Sequence, residues 1–167
     1  MVVIRKIRAD EGQRLRAIRV QAISDAPSAF GSTLDETLAR TDEYWNARVT
    51  QAAIGDESVL FVAENPEGWV GLVGSYLEDF AATASVDLIS MWVAPASRGQ
   101  GVGRKLVEQI IEWARQHPGA QYVSLWVTEN NAAAIALYER CGFRRTGETQ
   151  PLPSNPDLLE QRMVLDL

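Results

Sequence analysis

The chain has 167 residues, of which 46% are apolar and 23% are charged, and its net charge is −6. This size and composition predict a single domain over residues 1–167 with a full apolar core, and they argue against intrinsic disorder. The acidic balance argues against a nucleic-acid partner, because nucleic-acid-binding domains usually carry a basic face.

Cysteine and histidine are scarce, and the sequence shows no targeting signal. One cysteine, Cys141, and one histidine, His117, are too few for an intramolecular disulfide or a zinc site, so we expect no metal. The first residues carry scattered charge, unlike a signal peptide, and no apolar run has the length of a membrane span. We therefore expect a soluble, cytoplasmic protein without a membrane partner.

Apolar periodicity and turn residues predict a mixed α/β (α+β) domain. The first half predicts a strand at residues 2–9, a helix from Asp10 to about Ser24, a loop at 25–33, a helix at 34–51 and strands at 58–65, 69–79 and 85–93. The second half predicts a helix from Val102 to the Pro118-Gly119 pair, a strand at 121–128, a helix capped by Asn130 or Asn131, a short strand at 143–148, a proline-rich loop at 150–156 and a final strand. The helix that begins at Val102 carries one apolar stripe, formed by Val102, Leu106, Ile110, Trp113 and Ala114.

The segment SRGQGVGRKL, residues 97–106, places three glycines directly before that helix. The first N–H groups of a helix have no partner within it, and glycines let the backbone approach an anion closely, so the segment is a candidate phosphate-binding loop. The Walker A pattern fails, because Arg98 and Arg104 stand where it needs glycine and lysine. The dinucleotide pattern fails as well, because Arg104 and Leu106 occupy its third glycine position.

Two segments together resemble the GNAT superfamily of N-acetyltransferases. Arg98, Gly101 and Gly103, preceded by a strand ending in Val-x-Pro, resemble the acyl-CoA-binding loop of that family, although the loop alone also fits a turn without a ligand. The second segment, NNAAAIALYERCGF, matches the other family signature at Asn131, Ala134, Leu137, Tyr138, Gly142 and Phe143. Two matches in the expected order make chance agreement improbable.

The resemblance implies a fold and a cofactor site. The implied fold is a central, mixed and mostly antiparallel twisted sheet of six or seven strands, flanked by about four helices, in which the fourth and fifth strands splay apart. Acetyl-CoA is the implied co-substrate, bound by the backbone of the fourth strand, the glycine-rich loop and the following helices. The implied cofactor-binding residues are Met91, Trp92, Val93, Arg98, Gly99, Gln100, Gly101, Val102, Gly103, Arg104, Asn131 and Tyr138.

Tyr138 occupies the position of the general acid in the family, where a phenol would protonate the departing thiolate. Its position beside Leu137 also fits a plain core tyrosine. Asp87 is the first candidate for the general base, followed by Glu78 and Asp79, and each also fits an ordinary surface charge. His117 and Cys141 are expected to be structural, at a helix C-terminus and in the core respectively.

The acceptor groove of the family is built largely from the first two helices and the loop before the last strand, here residues 25–45 and 149–157. Phe30, Glu36 and Glu78 are the candidate substrate-binding residues. The acidic side chains of the first segment predict a cationic amine as the acceptor, or else they form an exposed acidic helix face.

The resemblance implies acetyl transfer to a primary amine of a small molecule by direct attack in a ternary complex. A protein or peptide amine, or a non-catalytic acyl-CoA-binding regulatory domain, is the alternative, and a homodimer is expected only from the family.

Overall fold

A computed structural model of the chain describes residues 1–78 and 84–167, so the candidate base Asp79 lies outside the described residues. Seven strands form one sheet in the order β1-β2-β3-β4-β5-β7-β6. The strands are β1 (Val3–Lys6), β2 (Ser58–Asn65), β3 (Gly68–Glu78), β4 (Ala84–Val93), β5 (Ala120–Thr128), β6 (Arg144–Leu152) and β7 (Asn155–Asp166). The helices are α1 (Gly12–Asp25), α2 (Leu34–Leu38), α3 (Asp42–Ile54), α4 (Val102–Arg115) and α5 (Ala132–Arg140).

The central feature of the sheet is the junction of β4 and β5. All other neighbouring strands pair antiparallel, whereas β4 and β5 run parallel. Their pairing ends at Asp87 and Ser124, although β4 continues to Val93 and β5 to Thr128. The two strands therefore diverge beyond this pair, which confirms the expected mixed sheet with splayed fourth and fifth strands.

Helices cover both faces of the sheet, because successive side chains of a strand point to opposite faces. On β2, Val59, Phe61 and Ala63 pack into the same apolar cluster as α4, whereas Leu60 and Val62 pack with α1 and α3. The predicted stripe of α4 lies entirely within the core. The sheet thus holds α1 and α3 on one face and α4 on the other, around the diverging strands.

Several boundaries differ from the sequence predictions. The helix expected at 34–51 is two helices, because Thr33 and Thr41 both adopt extended backbone angles and each caps a new helix with its hydroxyl. The first helix begins at Gly12 rather than at Asp10, and the position before it is Glu11, whose carboxylate pairs with arginines instead of capping the helix.

The proline-rich segment at 150–156 is strand rather than loop. Residues of β6 and β7 pair as far as Leu152 and Asn155, which leaves a two-residue turn at Pro153 and Ser154. The reason is that β6 is the edge strand of the sheet and β5 pairs with β7 only from Glu160 onward. Each strand here has a side without a neighbour, and proline is tolerated there because no strand needs its missing N–H.

Within residues 1–78 and 84–167, no helix is long and apolar enough to cross a membrane. The same ranges contain no group of three or more His, Cys, Asp or Glu side chains placed to hold a metal ion.

Candidate functional site

A cavity of about 560 Å³ opens where β4 and β5 diverge. One wall is the end of β4, which includes Met91, Trp92 and Val93, and the other wall includes Trp126 of β5. The glycine-rich loop and the first turn of α4 close one end, and α5 contributes Ala134, Leu137 and Tyr138. The cavity is large enough for a cofactor arm, and most of the predicted cofactor-binding residues lie around it.

The backbone of β4 is available along this cavity. β3 pairs with one edge of β4 as far as Val93, but β5 pairs with the other edge only as far as Asp87. Among residues 1–78 and 84–167, the backbone groups of residues 88–93 that face the gap therefore have no strand partner. An extended amide-containing chain could bind there as an additional strand.

The loop before α4 presents a continuous row of backbone donors. Within the described chain, the backbone N–H groups of residues 99–104 donate no backbone hydrogen bond. Lys105 is the first residue of α4 whose N–H donates to a preceding carbonyl, that of Gly101. Gly99 and Gly101 have φ angles of 74° and 80°, and a Cβ on either would meet no atom within 4 Å. Free N–H groups at a helix N-terminus bind phosphate, so this loop fits the diphosphate of a CoA-type ligand.

Gly103 has a different role from the other two glycines. A Cβ there would lie 3.1 Å from Leu137 Cδ2 and 3.2 Å from Met91 Cε. The absence of a side chain at Gly103 therefore lets α4 pack closely against α5 and β4.

The polar side chains of the loop are already engaged. Arg98 donates from Nε to Val93 O at 2.9 Å and also pairs with Asp25 at the end of α1. Arg104 pairs with Glu108 at 2.8 Å, and Gln100, which does not line the cavity, donates to Ala96 O. The backbone N–H groups, rather than these side chains, are thus the free anion-binding groups of the loop.

Tyr138 and Asn131 both line the cavity on the side of α5. The Tyr138 side chain is 6% exposed, and within the part of the chain that the structure describes its hydroxyl makes no hydrogen bond. Burial, with a smaller contribution from Cys141, raises the pKa of the Tyr138 phenol, so the hydroxyl stays protonated at neutral pH. Asn131 Oδ1 caps α5 by accepting from Ala134 N at 3.2 Å, which leaves its amino group for a ligand.

Asp87 lies at the point where β4 and β5 part. Its carboxylate accepts hydrogen bonds from Ser124 Oγ and, at 3.0 Å, from Tyr76 Oη. Glu78 lies diagonally across the β3–β4 pair, where burial and the charge of Asp87 raise its pKa. The structure therefore brings two predicted bases, Asp87 and Glu78, into one cluster directly beyond the Leu88 end of the cavity.

The remaining predicted acceptor residues, Phe30 and Glu36, do not line this cavity. Phe30 is buried beneath the guanidinium of Arg19, 4.9 Å from its ring centroid. The carboxylate of Glu36 accepts from Thr33 N at 2.8 Å and completes the cap of α2. The other acids of this segment, Asp35, Asp42 and Glu43, are exposed and lie in the first turns of α2 and α3, where they complement the helix dipole.

The sequence reasoning missed a basic cluster formed by Arg19, Arg40 and Arg48. One signal was present: Arg19 is four residues after Leu15 and four before Ile23, so it falls on the buried face of α1. The two ring nitrogens of His117 each lie 2.9 Å from a backbone carbonyl oxygen, those of Trp113 and Asp56, and these contacts link α4 to the segment after α3.

Comparisons with known proteins agree on one family. The family model described as Acetyltransferase (GNAT) family matches residues 21–143. Mycothiol acetyltransferase of Salinispora tropica is 30% identical over 131 residues, which cover 77% of this chain and 40% of that protein. Peptidyl-lysine N-acetyltransferase YjaB of Salmonella typhimurium is 28% identical over 154 residues, which cover 90% of this chain and 88% of that protein.

The fold is shared with a solved structure, that of yncA from Salmonella typhimurium with its cofactor acetyl-CoA. The TM-score is 0.78 at 22% identity, and the match covers 100% of this chain and 94% of that chain. The chain spans about 40% of the length of the mycothiol acetyltransferases that it matches.

Proposed function

The chain belongs to the acetyltransferase (GNAT) family, and we propose that it transfers the acetyl group of acetyl-CoA to a primary amine of a small molecule. One observation carries this proposal: the gap between β4 and β5 ends at the row of free N–H groups formed by residues 99–104. A CoA diphosphate fits those donors, and the amide-containing arm fits the free edge of β4. Acetyl-CoA, when bound, supplies a thioester whose carbonyl carbon is open to attack.

The side chains around the gap support direct attack by the amine in a ternary complex. A protonated amine cannot attack, and the carboxylates of Asp87 and Glu78 lie where a proton can be taken up, directly or through water. Tyr138 is a protonated, buried hydroxyl that lines the cavity, and it is our candidate for the acid that protonates the CoA sulfur. In this scheme a C–N bond forms, a C–S bond breaks, one proton goes to the carboxylate cluster and another goes to the sulfur.

The named relatives act on different kinds of acceptor, and this favours a second candidate function. Peptidyl-lysine N-acetyltransferase YjaB matches 90% of this chain, which favours a protein or peptide amine as the alternative acceptor. A non-catalytic acyl-CoA-binding role is the third alternative. The position of Tyr138 beside the cavity, with no hydrogen bond to its hydroxyl among the described residues, argues against that alternative.

The test is an acceptor screen with the purified chain. The protein is incubated with acetyl-CoA and matched panels of small amines and lysine-containing peptides, and the free CoA thiol is followed over time. Turnover with small amines supports the proposal, whereas turnover with peptides alone supports the second candidate function, acetylation of a protein or peptide amine. Binding of acetyl-CoA without turnover on either panel would leave only the non-catalytic role.

A further inference from the structure

A second cavity, much smaller than the first, borders it at Ser90. Its volume is about 40 Å³, and it lies between α1, α2, α3 and the end of β4. Ser90 lines both cavities, at a bulge in β4 where its φ angle is 58°. A molecule in the small cavity would therefore lie beside the gap that fits acetyl-CoA.

The small cavity is positively charged in a chain that is acidic as a whole. Arg19, Arg40 and Arg48 line it, together with a single carboxylate, that of Glu36. None of the ion pairs within 4.0 Å in the described ranges includes any of these three arginines. Glu36 is meanwhile held by the cap of α2.

Arg19 is the most informative member of this cluster. Its Nη1 donates to Ser90 Oγ at 2.9 Å, and its guanidinium lies over the ring of Phe30. Burial and the neighbouring charge of Arg48 lower its pKa to about 10, so Arg19 remains charged at neutral pH. A partly buried cation beside a second cation is unfavourable unless an anion compensates for it.

A neutral donor in the same wall also lacks an acceptor. Trp45 is 3% exposed, and its indole N–H has no hydrogen-bond partner in the described structure. Buried N–H groups are rarely left unpaired, so an acceptor is missing on this side of the protein as well. The arginine charges, which have no ion pair in the described ranges, are the observation that indicates a ligand with negative charge and oxygen acceptors, and the unpaired indole of Trp45 in the cavity wall agrees with it.

The volume limits what that ligand group can be. One water molecule needs roughly 10–15 Å³ on the same measure, so the cavity admits about three heavy atoms. A carboxylate has three heavy atoms, whereas a phosphate has five. The cavity thus fits a carboxylate better than a larger anion.

We propose that the small cavity binds the carboxylate of the acceptor, so that the acceptor is a small amino acid or a similar compound carrying both a primary amine and a carboxylate. Arg19 and Arg48 hold the carboxylate, and the contact of Arg19 with Ser90 places the amine at the mouth of the larger cavity. This inference rests on the proposed acetyl transfer. It differs from the expectation of a cationic acceptor, because the acidic side chains other than Glu36 lie outside this cavity.

The experiment compares each proteinogenic amino acid that has a primary amine with its own α-amide, which has the same amine but no α-carboxylate. CoA thiol release is measured with the full chain, and binding is measured separately as the thermal shift that the amino acid causes in the presence of CoA. We expect at least one amino acid to be preferred over its amide by about tenfold or more in kcat/KM, which is the range for a charge-assisted hydrogen bond.

Arg48→Gln is the test variant, and Arg16→Gln is its matched control on α1, outside the cavity. Arg48→Gln is expected to raise KM for the preferred amino acid about tenfold or more, to retain kcat and to lose the amino-acid thermal shift. Its thermal shift with acetyl-CoA should equal that of the wild type, which shows that it folds. Arg16→Gln is expected to behave as the wild type in all three measurements.

Two results would overturn the inference, and they are distinguishable. Turnover of amines without preference for the carboxylate, or with an unchanged KM in Arg48→Gln, overturns the carboxylate site and leaves the proposed acetyl transfer intact. No turnover with any amine, together with no thermal shift by acetyl-CoA, overturns both.

Discussion

At the scale of single residues, the Tyr138 hydroxyl combines deep burial with an open hydrogen-bonding position. The side chain is 6% exposed, and its aromatic ring packs edge-on against Phe143 with the centroids 5.8 Å apart. The ring can therefore be held by packing alone, without its hydroxyl. This separation of packing from polar function makes Tyr138 well suited to a substitution that removes only the oxygen.

We expect Tyr138→Phe to lower kcat by about 10²-fold, the lower range for loss of a general acid, while stability stays within about 1 kcal/mol. The phenylalanine ring keeps the packing but cannot protonate the sulfur. Steady-state kinetics and thermal unfolding measure the two effects. Tyr122→Phe, on β5 outside the cavity, is the matched control, and an unchanged kcat in Tyr138→Phe would remove this residue from the mechanism.

The carboxylates of Asp87 and Glu78 should make the reaction rate depend on pH, with an acidic limb in the profile of kcat/KM against pH. Because burial and Asp87 raise the pKa of Glu78, that carboxyl takes up a proton at a higher pH than an ordinary glutamate. We expect kcat/KM to fall as the pH is lowered through this raised pKa. In Asp87→Asn the charge that contributes to the shift is lost, so the limb should move to lower pH and kcat should fall by about 10²-fold.

Rates measured across the pH range, with Asp56→Asn at an exposed position between α3 and β2 as control, test this expectation. A limb at the same pH in the wild type and in Asp87→Asn would show that the two carboxyls do not act together. An unchanged kcat in Asp87→Asn would exclude it as the base.

At the scale of elements, Glu11 joins β1 to α1. The Glu11 side chain is 4% exposed, and its carboxylate bonds to Arg5 at 2.7 Å, to Arg8 at 3.2 Å and to Arg14 at 3.0 Å. Burial alone would raise the pKa of this carboxyl, but the hydrogen bond from Arg5, with those from its other partners, lowers it to about 2. The network therefore stabilises the folded state while Glu11 is ionised.

A carboxyl whose pKa is depressed in the folded state contributes stability above its unfolded pKa, and that stability is lost as the pH falls. Here the contribution should be complete above about pH 4.5 and should be lost on acidification toward pH 2. We expect Glu11→Gln to lower the free energy of unfolding by roughly 2 kcal/mol at neutral pH and by less near pH 3. Denaturant unfolding at both pH values, with exposed Glu112→Gln on α4 as control, measures this difference. A cost that does not change between the two pH values would contradict it.

The loop before α4 depends on backbone conformations that favour glycine. We expect Gly101→Val to abolish the thermal shift caused by acetyl-CoA, because a side chain there strains the positive φ and projects into the open space before the free N–H groups. Gly147→Val is the matched control: Gly147 has φ of 87° and equally open surroundings, but it lies in β6, away from the cavity. If both variants lost the acetyl-CoA thermal shift equally, the cause would be backbone strain at the positive φ rather than a blocked ligand site.

At the scale of the whole molecule, the large cavity joins elements that are distant along the chain. Ala26 and Ala29 near the end of α1 line it, as do the end of β4, the start of α4 and Tyr138 on α5. A ligand bound there contacts most of the fold and should stabilise all of it by mass action.

We expect acetyl-CoA at about 100 times its Kd to add about 2.7 kcal/mol to the free energy of unfolding and to raise Tm by about 5–10 °C. The transition should remain a single cooperative one, as predicted for a single domain. Differential scanning calorimetry with and without acetyl-CoA checks both points. No shift at millimolar acetyl-CoA would contradict the donor site, and two separate transitions would contradict the single domain.

The sequence by itself determined the family, the order of most elements and the position of the glycine-rich loop before α4. These features depend on local patterns: glycines at fixed spacing before a helix, the Asn131–Phe143 signature, and apolar periodicity such as the stripe of α4. Local patterns failed at residues 34–51 and 150–156, where Thr41 interrupts a helix and where an edge position makes proline acceptable in a strand.

Only the tertiary structure decided the geometry of the two cavities. The gap beyond Asp87 exists because β5 stops pairing with β4, which no property of either strand alone predicts. Arg19, Arg40 and Arg48 come from three different segments, and their shared cavity with Trp45 and Ser90 arises from the packing of α1, α2 and α3 on the sheet. The physical reason is that charge complementarity depends on distances across the fold, whereas sequence spacing reports only distances along one element.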